Sequence, residues 1–142
     1  MITSPRSGCP INRALEALGD QWSLVILRDI AAHDRRSFRE LLTGNDEGIS
    51  APVLSRRLAD LVEAGFLTKT EAPRGKQGRY SLTELGLRTV PLMAALAGLG
   101  VAIDATTEAQ RPDFLRPGRE AELAVTLAAL RERHLATPTS LR

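Results

Sequence analysis

The chain has 142 residues, 25% charged and 43% apolar, the balance of one globular domain able to bury a core without covalent staples. Its single cysteine excludes a disulfide framework within the chain. No apolar run approaches the roughly 20 residues of a bilayer-spanning helix, and the opening Met-Ile-Thr-Ser-Pro-Arg-Ser-Gly-Cys-Pro lacks the apolar core of a signal peptide, so no membrane partner and a cytoplasmic location are expected. The formal net charge is only +2, but Ser50 to Leu82 holds six basic residues (Arg56, Arg57, Lys69, Arg74, Lys76, Arg79) against three acidic (Asp60, Glu63, Glu71), a local +3.

Taken in chain order, residues 1–9 form a loose arm. Pro10 suits the first position of a helix whose apolar face is Ile11, Ala14, Leu15 and Leu18, ended by Gly19. Asp20 can cap the next helix, in which Trp22, Leu24, Val25, Ile26 and Leu27 are too apolar for a surface element, so it is central. His33-Asp34-Arg35-Arg36 reads as a turn. Ser37 and Glu40 make a capping-box pattern that opens a short helix with Phe38, Leu41 and Leu42 inward. After the turn cluster Gly44 to Gly48, Ser50 caps a helix with Leu54, Leu58 and Leu61 as its buried stripe, stopped by a left-handed Gly65.

Phe66 to Thr70 and Arg79 to Leu82 are the strands of a hairpin, with Pro73 to Gly78 as its irregular basic tip. Thr83 and Glu84 open a long helix with Leu85, Leu92, Leu96, Leu99 and Ile103 on one face and a kink at Pro91. A polar linker covers 106–117, an amphipathic helix 118–135 carries Leu123, Leu127 and Leu130, and 136–142 is a tail. The expected fold class is mainly α with a small β-ribbon, and the order of its parts is that of a winged helix-turn-helix spanning 10–105.

Two short helices joined by a tight turn let the second lie in a major groove about 12 Å wide. The face opposite its leucine stripe presents Ala51, Pro52, Ser55, Arg56 and Ala59. Small residues there allow close approach to base edges, and the amides capped by Ser50 can meet a phosphate. Arg56 is the base-reading candidate, because a guanidinium bonds guanine O6 and N7 together. Arg57 lies nearer the buried edge and is either a phosphate contact or an intra-protein bond. Arg39, on the preceding short helix, joins the DNA-binding set. A second basic cluster, Arg74, Lys76 and Arg79 at the wing, would reach the neighbouring minor groove or backbone. Double-stranded DNA is therefore the expected partner; the alternative is a winged-helix module that binds another protein or an apolar ligand and has only weak DNA affinity.

With those residues in view, the chain resembles the HxlR-type winged-helix regulators of bacteria and archaea, relatives of MarR-like proteins. The resemblance covers Cys9 to Gly100. It is carried by Cys9-Pro10, Gly19-x-x-Trp22 with Ile26-Leu27-Arg28-Asp29, Phe38-x-Glu40-Leu41, Gly48-Ile49-Ser50, Leu54-Ser55-x-Arg57-Leu58, Leu61-x-Glu63-x-Gly65-Phe66-Leu67 and Tyr80 to Gly86. It implies a cytoplasmic homodimeric transcription regulator that binds a two-fold operator, with extra N- and C-terminal dimerisation helices. Leu15, Leu92, Leu96, Leu99, Leu123, Leu127 and Leu130 are what such a dimer would bury; packing on the chain's own core is the alternative. Three positions depart from the family pattern: Pro52 where Lys or Arg is common, Gly19-Asp20-Gln21-Trp22 for Gly-Gly-Lys-Trp, and Leu99 for an aromatic. They bear on operator sequence and interface detail, not on class.

Cys9 stands at the cap of the first helix, where the field favours the reactive thiolate. The resemblance implies a thiol that senses oxidants or electrophiles such as quinones or aldehydes; the alternative is an inert N-terminal thiol. No cofactor and no metal are expected. His33 and His134 have no partners at ligand or catalytic spacing and read as surface residues, and Gly75-Lys76-Gln77-Gly78 lacks the strand-to-helix setting of a phosphate loop, so the chain is not read as an enzyme.

Overall fold

Helix α1 (Pro10–Leu18) begins at the proline, as its fixed φ favours, and turns Leu18 into the core. It ends at Gly19 with φ −79°, not in the left-handed region. Glycine is required there for space, since a Cβ would collide with the Leu15 carbonyl oxygen. Helix α2 (Ser23–His33) starts where the Asp20 carboxylate accepts the Trp22 and Ser23 amides at 2.8 and 2.9 Å, and its Ile26, Leu27 and Ile30 form the centre of the core. The computed structural model describes residues 4–73, 78–116 and 118–135.

Helix α3 (Phe38–Thr43) opens with the full capping box: Ser37 Oγ accepts the Glu40 amide, and the Glu40 carboxylate accepts the Ser37 amide. Helix α4 (Ala51–Glu63) is capped by Ser50 and buries Leu54, Leu58 and Leu61. Gly65, at φ +87°, supplies the left-handed stop that an L side chain rarely adopts. Strands β1 (Leu67–Thr70) and β2 (Arg79–Leu82) pair antiparallel, Leu67 opposite Leu82 and Thr70 opposite Arg79.

The expected long helix is divided. Thr83 caps α5 (Glu84–Leu87), and α6 (Thr89–Ile103) follows after Arg88. The break falls one turn before Pro91, which lies in the first turn of α6, where its missing N–H costs nothing while its ring crowds the carbonyl of Leu87. Val90 and Met93 face the core, whereas Leu85, Leu92, Leu96, Leu99 and Ile103 are exposed. One expectation is corrected here. Glu84–Ile103 runs as a 20-residue helical stretch of mean hydropathy 1.6, long and apolar enough by length and composition to cross a membrane, with 28% of it buried. Glu84, Arg88 and Pro91 interrupt the apolar run in the sequence, and the helix itself divides at Arg88.

The expected linker also differs. Residues 106–116 fall largely within two 3-10 turns, Ala105–Gln110 and Asp113–Leu115, and the segment packs inward through buried Leu115 and Arg111. Its apolar Phe114 and Leu115, not its polar majority, decide its place. Helix α7 (Glu120–Leu135) lies against α5 and β2. Leu130, assigned by resemblance to a dimer contact, is 2% exposed within this chain, and Leu123 and Leu127 pack on the same core. Within the single chain Leu130 is covered, while Leu123 and Leu127 stay half-buried.

Candidate nucleic-acid interface

The turn before α4 is built to aim that helix. Asn45 Oδ1 accepts the amides of Glu47 and Ile49 at 3.0 and 2.9 Å, while Arg28 on α2 holds both Glu47 oxygens at 2.8 Å and also binds Asp29 Oδ1 at 2.8 Å. Asp29 is 1% exposed and lies 3.4 Å from Arg35 as well. The hydrogen bonds that Arg28 donates to Glu47 raise its guanidinium above its ordinary range despite burial, and Arg28 in turn holds the Glu47 carboxyl below its own. A bidentate, partly buried pair of this kind fixes orientation as well as charge. The start of α4 is therefore tied to the middle of α2.

On the outer side of α4, Ser50, Ala51, Pro52, Ser55, Arg56 and Ala59 are all exposed, as the helical spacing requires once Leu54, Leu58 and Leu61 face inward. Pro52 sits in the first turn, where a missing N–H is harmless. Ser50 Oγ accepts the Val53 amide at 3.4 Å, satisfying one of the donors that a helix start leaves unpaired. Arg56 has no ion-pair partner among the described residues. Arg57 does: its Nε is 3.4 Å from Asp20 and its Nη1 3.2 Å from Asp60, so the structure places it in an intra-protein bond. Burial opposes the Asp20 charge, but hydrogen bonds from Ser23 and Trp22 and the nearby Arg57 outweigh it and hold the carboxyl below its usual range. Arg39 lies on the exposed side of α3.

Arg79 begins β2 and is exposed at the wing; Arg74 and Lys76 lie outside the described residues. Lys69 reaches over the ring of its cross-strand partner Tyr80, 5.7 Å from the centroid, a cation–π contact on the ribbon. Cys9 is exposed and free at the α1 cap, with no side-chain capping bond.

Sequence reasoning missed the base of the wing. Arg36, read as part of a turn, is buried. Its carbonyl accepts the Tyr80 amide at 2.7 Å, its Nε donates to the Tyr80 carbonyl at 3.0 Å, and its Nη2 donates to Ser81 Oγ. His134, expected on the surface, is 8% exposed, and its Nδ1 accepts the Leu82 amide at 2.9 Å. His33 is exposed as expected. Among the described residues no group of acidic, Cys and His side chains could hold a metal.

The chain is similar to known proteins. The model of the HxlR-like helix-turn-helix family matches residues 17–107. An uncharacterised HTH-type transcriptional regulator of Mycobacterium tuberculosis is 39% identical over 80 residues, 56% of this chain and 49% of that protein. One from Synechocystis is 30% identical over 93 residues, 65% of this chain and 67% of that protein. A crystal structure of a Porphyromonas gingivalis regulator assigned to the MarR family superposes with a TM-score of 0.61 at 27% identity, covering 71% of this chain and 96% of that one. The chain spans about half the length of the mycobacterial relatives it matches. With the family's match lying across the helix-turn-helix, the wing and α6, the chain belongs to the HxlR-like helix-turn-helix family of transcriptional regulators.

Proposed function

We propose that the chain is a cytoplasmic, sequence-specific DNA-binding regulator in which α4 enters the major groove and the wing contacts the neighbouring backbone or minor groove. The observation that carries the reading is the outer face of α4: small residues at its tip and an exposed Arg56 on a helix whose start is locked to α2. A rigid helix end that both admits a base edge and supplies a guanidinium is what direct readout needs. Ser50, Ala51, Pro52 and Ser55 set the approach in this reading, and Arg39, Arg74, Lys76 and Arg79 supply phosphate contacts.

The same reading makes the protein a homodimer on a two-fold site. It is supported by exposed Ile11 and Leu15 on α1 and Leu92, Leu96 and Leu99 on α6, together with an apolar cleft of about 410 Å³ between α1 and α5–α6 that includes Leu18, Phe66 and Leu92. An oxidant or electrophile would act on exposed Cys9; a Cys9→Ser protein that still loses DNA binding on oxidation sinks that part.

The test is fluorescence anisotropy with the DNA upstream of the protein's own gene against scrambled DNA, over a salt series. Binding that exceeds scrambled DNA by about 10³ or more, with a steep salt slope, is expected. Equal weak binding to both, in reduced and oxidised protein alike, counts for a protein-binding module instead.

A further inference from the structure

A cleft of about 470 Å³, within the size range of small-ligand sites, lies between the wing and the C-terminal end of α7, lined by Arg36, Arg79, Arg133 and His134. The strand register puts Thr68, Thr70, Arg79 and Ser81 on the one face of the ribbon that borders it, and Leu82 and Leu135 add apolar wall. Arg133 and His134 belong to α7, beyond residues 17–107 of the family match. The cleft is therefore a feature of this chain's own C-terminal helix.

Its charges are one-sided. The Arg36 guanidinium, 8% exposed, is spent on a carbonyl and a hydroxyl, with no carboxylate partner among the described residues. Arg133 reaches Asp34 only at 3.7 Å, and Glu84, the acidic residue on the lining, is held by Arg131. Burial first, and then the charges of Arg79 and Arg133 working against Asp34 and Glu40, push the Arg36 guanidinium below its ordinary range. His134 adds a donor. Because the Leu82 amide donates to Nδ1, that nitrogen carries no proton and Nε2 does. Nε2 is buried and meets no acceptor among the described residues.

We propose that this cleft binds a small organic acid, its carboxylate held by Arg79 and Arg133 in the field of Arg36 and its body against Leu82 and Leu135, and that occupancy alters how α7 is fastened to the wing. The regulatory half rests on the DNA-binding reading above; the binding half does not.

The test titrates benzoate, neutral benzamide and inorganic phosphate separately into the full chain and follows the Leu82 amide and His134 ring resonances together with the melting temperature. Benzoate is expected to shift both resonances saturably and to raise the melting temperature. Arg133→Gln should weaken this by about tenfold, as loss of one charge-assisted contact does, while leaving the unliganded melting temperature within a few degrees. His134→Asn, which keeps an acceptor for the Leu82 amide and removes the Nε2 donor, should weaken it too. No saturable shift, an unchanged affinity in Arg133→Gln, or benzamide or phosphate matching benzoate would each overturn the organic-acid site. Operator affinity is then measured with and without saturating benzoate: a change supports the regulatory half, and no change overturns it. Benzoate binding in a protein that binds no DNA would refute the DNA-binding reading and leave the site standing.

Discussion

Arg36 grips Tyr80 from both sides, its carbonyl accepting the Tyr80 amide at 2.7 Å and its Nε donating to the Tyr80 carbonyl at 3.0 Å. The residue immediately before the α3 cap is thus a third rung on a two-stranded wing. Arg36→Ala leaves a buried carbonyl and the Ser81 hydroxyl unpaired, and we expect it to lower stability by about 2–3 kcal/mol in urea unfolding. Arg36→Lys should recover little of this, since an ammonium cannot span both acceptors as the planar guanidinium does. A loss below about 0.5 kcal/mol for the alanine variant would show that the grip is incidental.

Asp29 is buried between Arg28 and Arg35. Asp29→Asn removes the charge that both cations face, and breaking a buried pair from one side costs about 3–5 kcal/mol. Chemical denaturation measures the loss. Glu47→Gln, at the exposed end of the same network, should cost about 1 kcal/mol or less.

Burial, reinforced by the charge of Arg36, brings the His134 imidazole down to about 4 from an ordinary 6.5. The unfolded chain therefore takes up a proton between those values while the folded chain does not, and the sign follows. The contribution is full above about pH 6.5 and is lost as pH falls towards 4. Allowing for partial solvent access, about 1–2 kcal/mol is at stake. Melting temperatures from pH 7.5 to 4.5 should fall more steeply for the native chain than for His134→Asn; parallel curves would count against the assignment.

Arg56→Ala should weaken operator binding by about 1–3 kcal/mol and relax discrimination at one base position. Arg57→Ala should act mainly on stability, because Arg57 is engaged with Asp20 and Asp60. Anisotropy and thermal melting on both variants separate the two effects. If Arg57→Ala matched Arg56→Ala in affinity without a change in melting temperature, Arg57 would be a DNA contact and not a structural bond.

Leu99→Glu should shift the protein towards monomer in sedimentation velocity with its fold intact, since the side chain is 58% exposed in the single chain. Leu130→Ala, at a buried position, should instead cost about 2–5 kcal/mol of stability. A Leu99→Glu protein that still sediments as a dimer would move the interface off α6.

The elements legible in the sequence were those whose determinants lie close together along the chain. The Ser37–Glu40 box, the Ser50 cap with its leucine stripe and the left-handed Gly65 are local signals, and the structure contains each of them. The exposed face of α4 follows from the same spacing. What escaped notice depends on distance. Nothing near Arg36 announces a bond to Ser81, 45 residues away, and nothing near His134 announces the Leu82 amide, 52 residues back. The leucines of α7 looked alike whether they met a second chain or their own core, because periodicity gives a face and not its partner. Pro91 pointed to a kink but not to its place, which its ring sets one turn upstream.

The His134–Leu82 bond also orders events during vectorial synthesis. A chain growing from its N-terminus completes α4, both ribbon strands and the Arg36 grip on β2 well before His134 has been made. Helix α4 can dock on α2 at once through Arg28 and Glu47, contacts separated by 19 residues, while the wing's final clip must close a much longer loop at greater entropic cost. A nascent chain halted near residue 105 thus carries α4 docked on α2 and a wing held by Arg36 but not yet by His134.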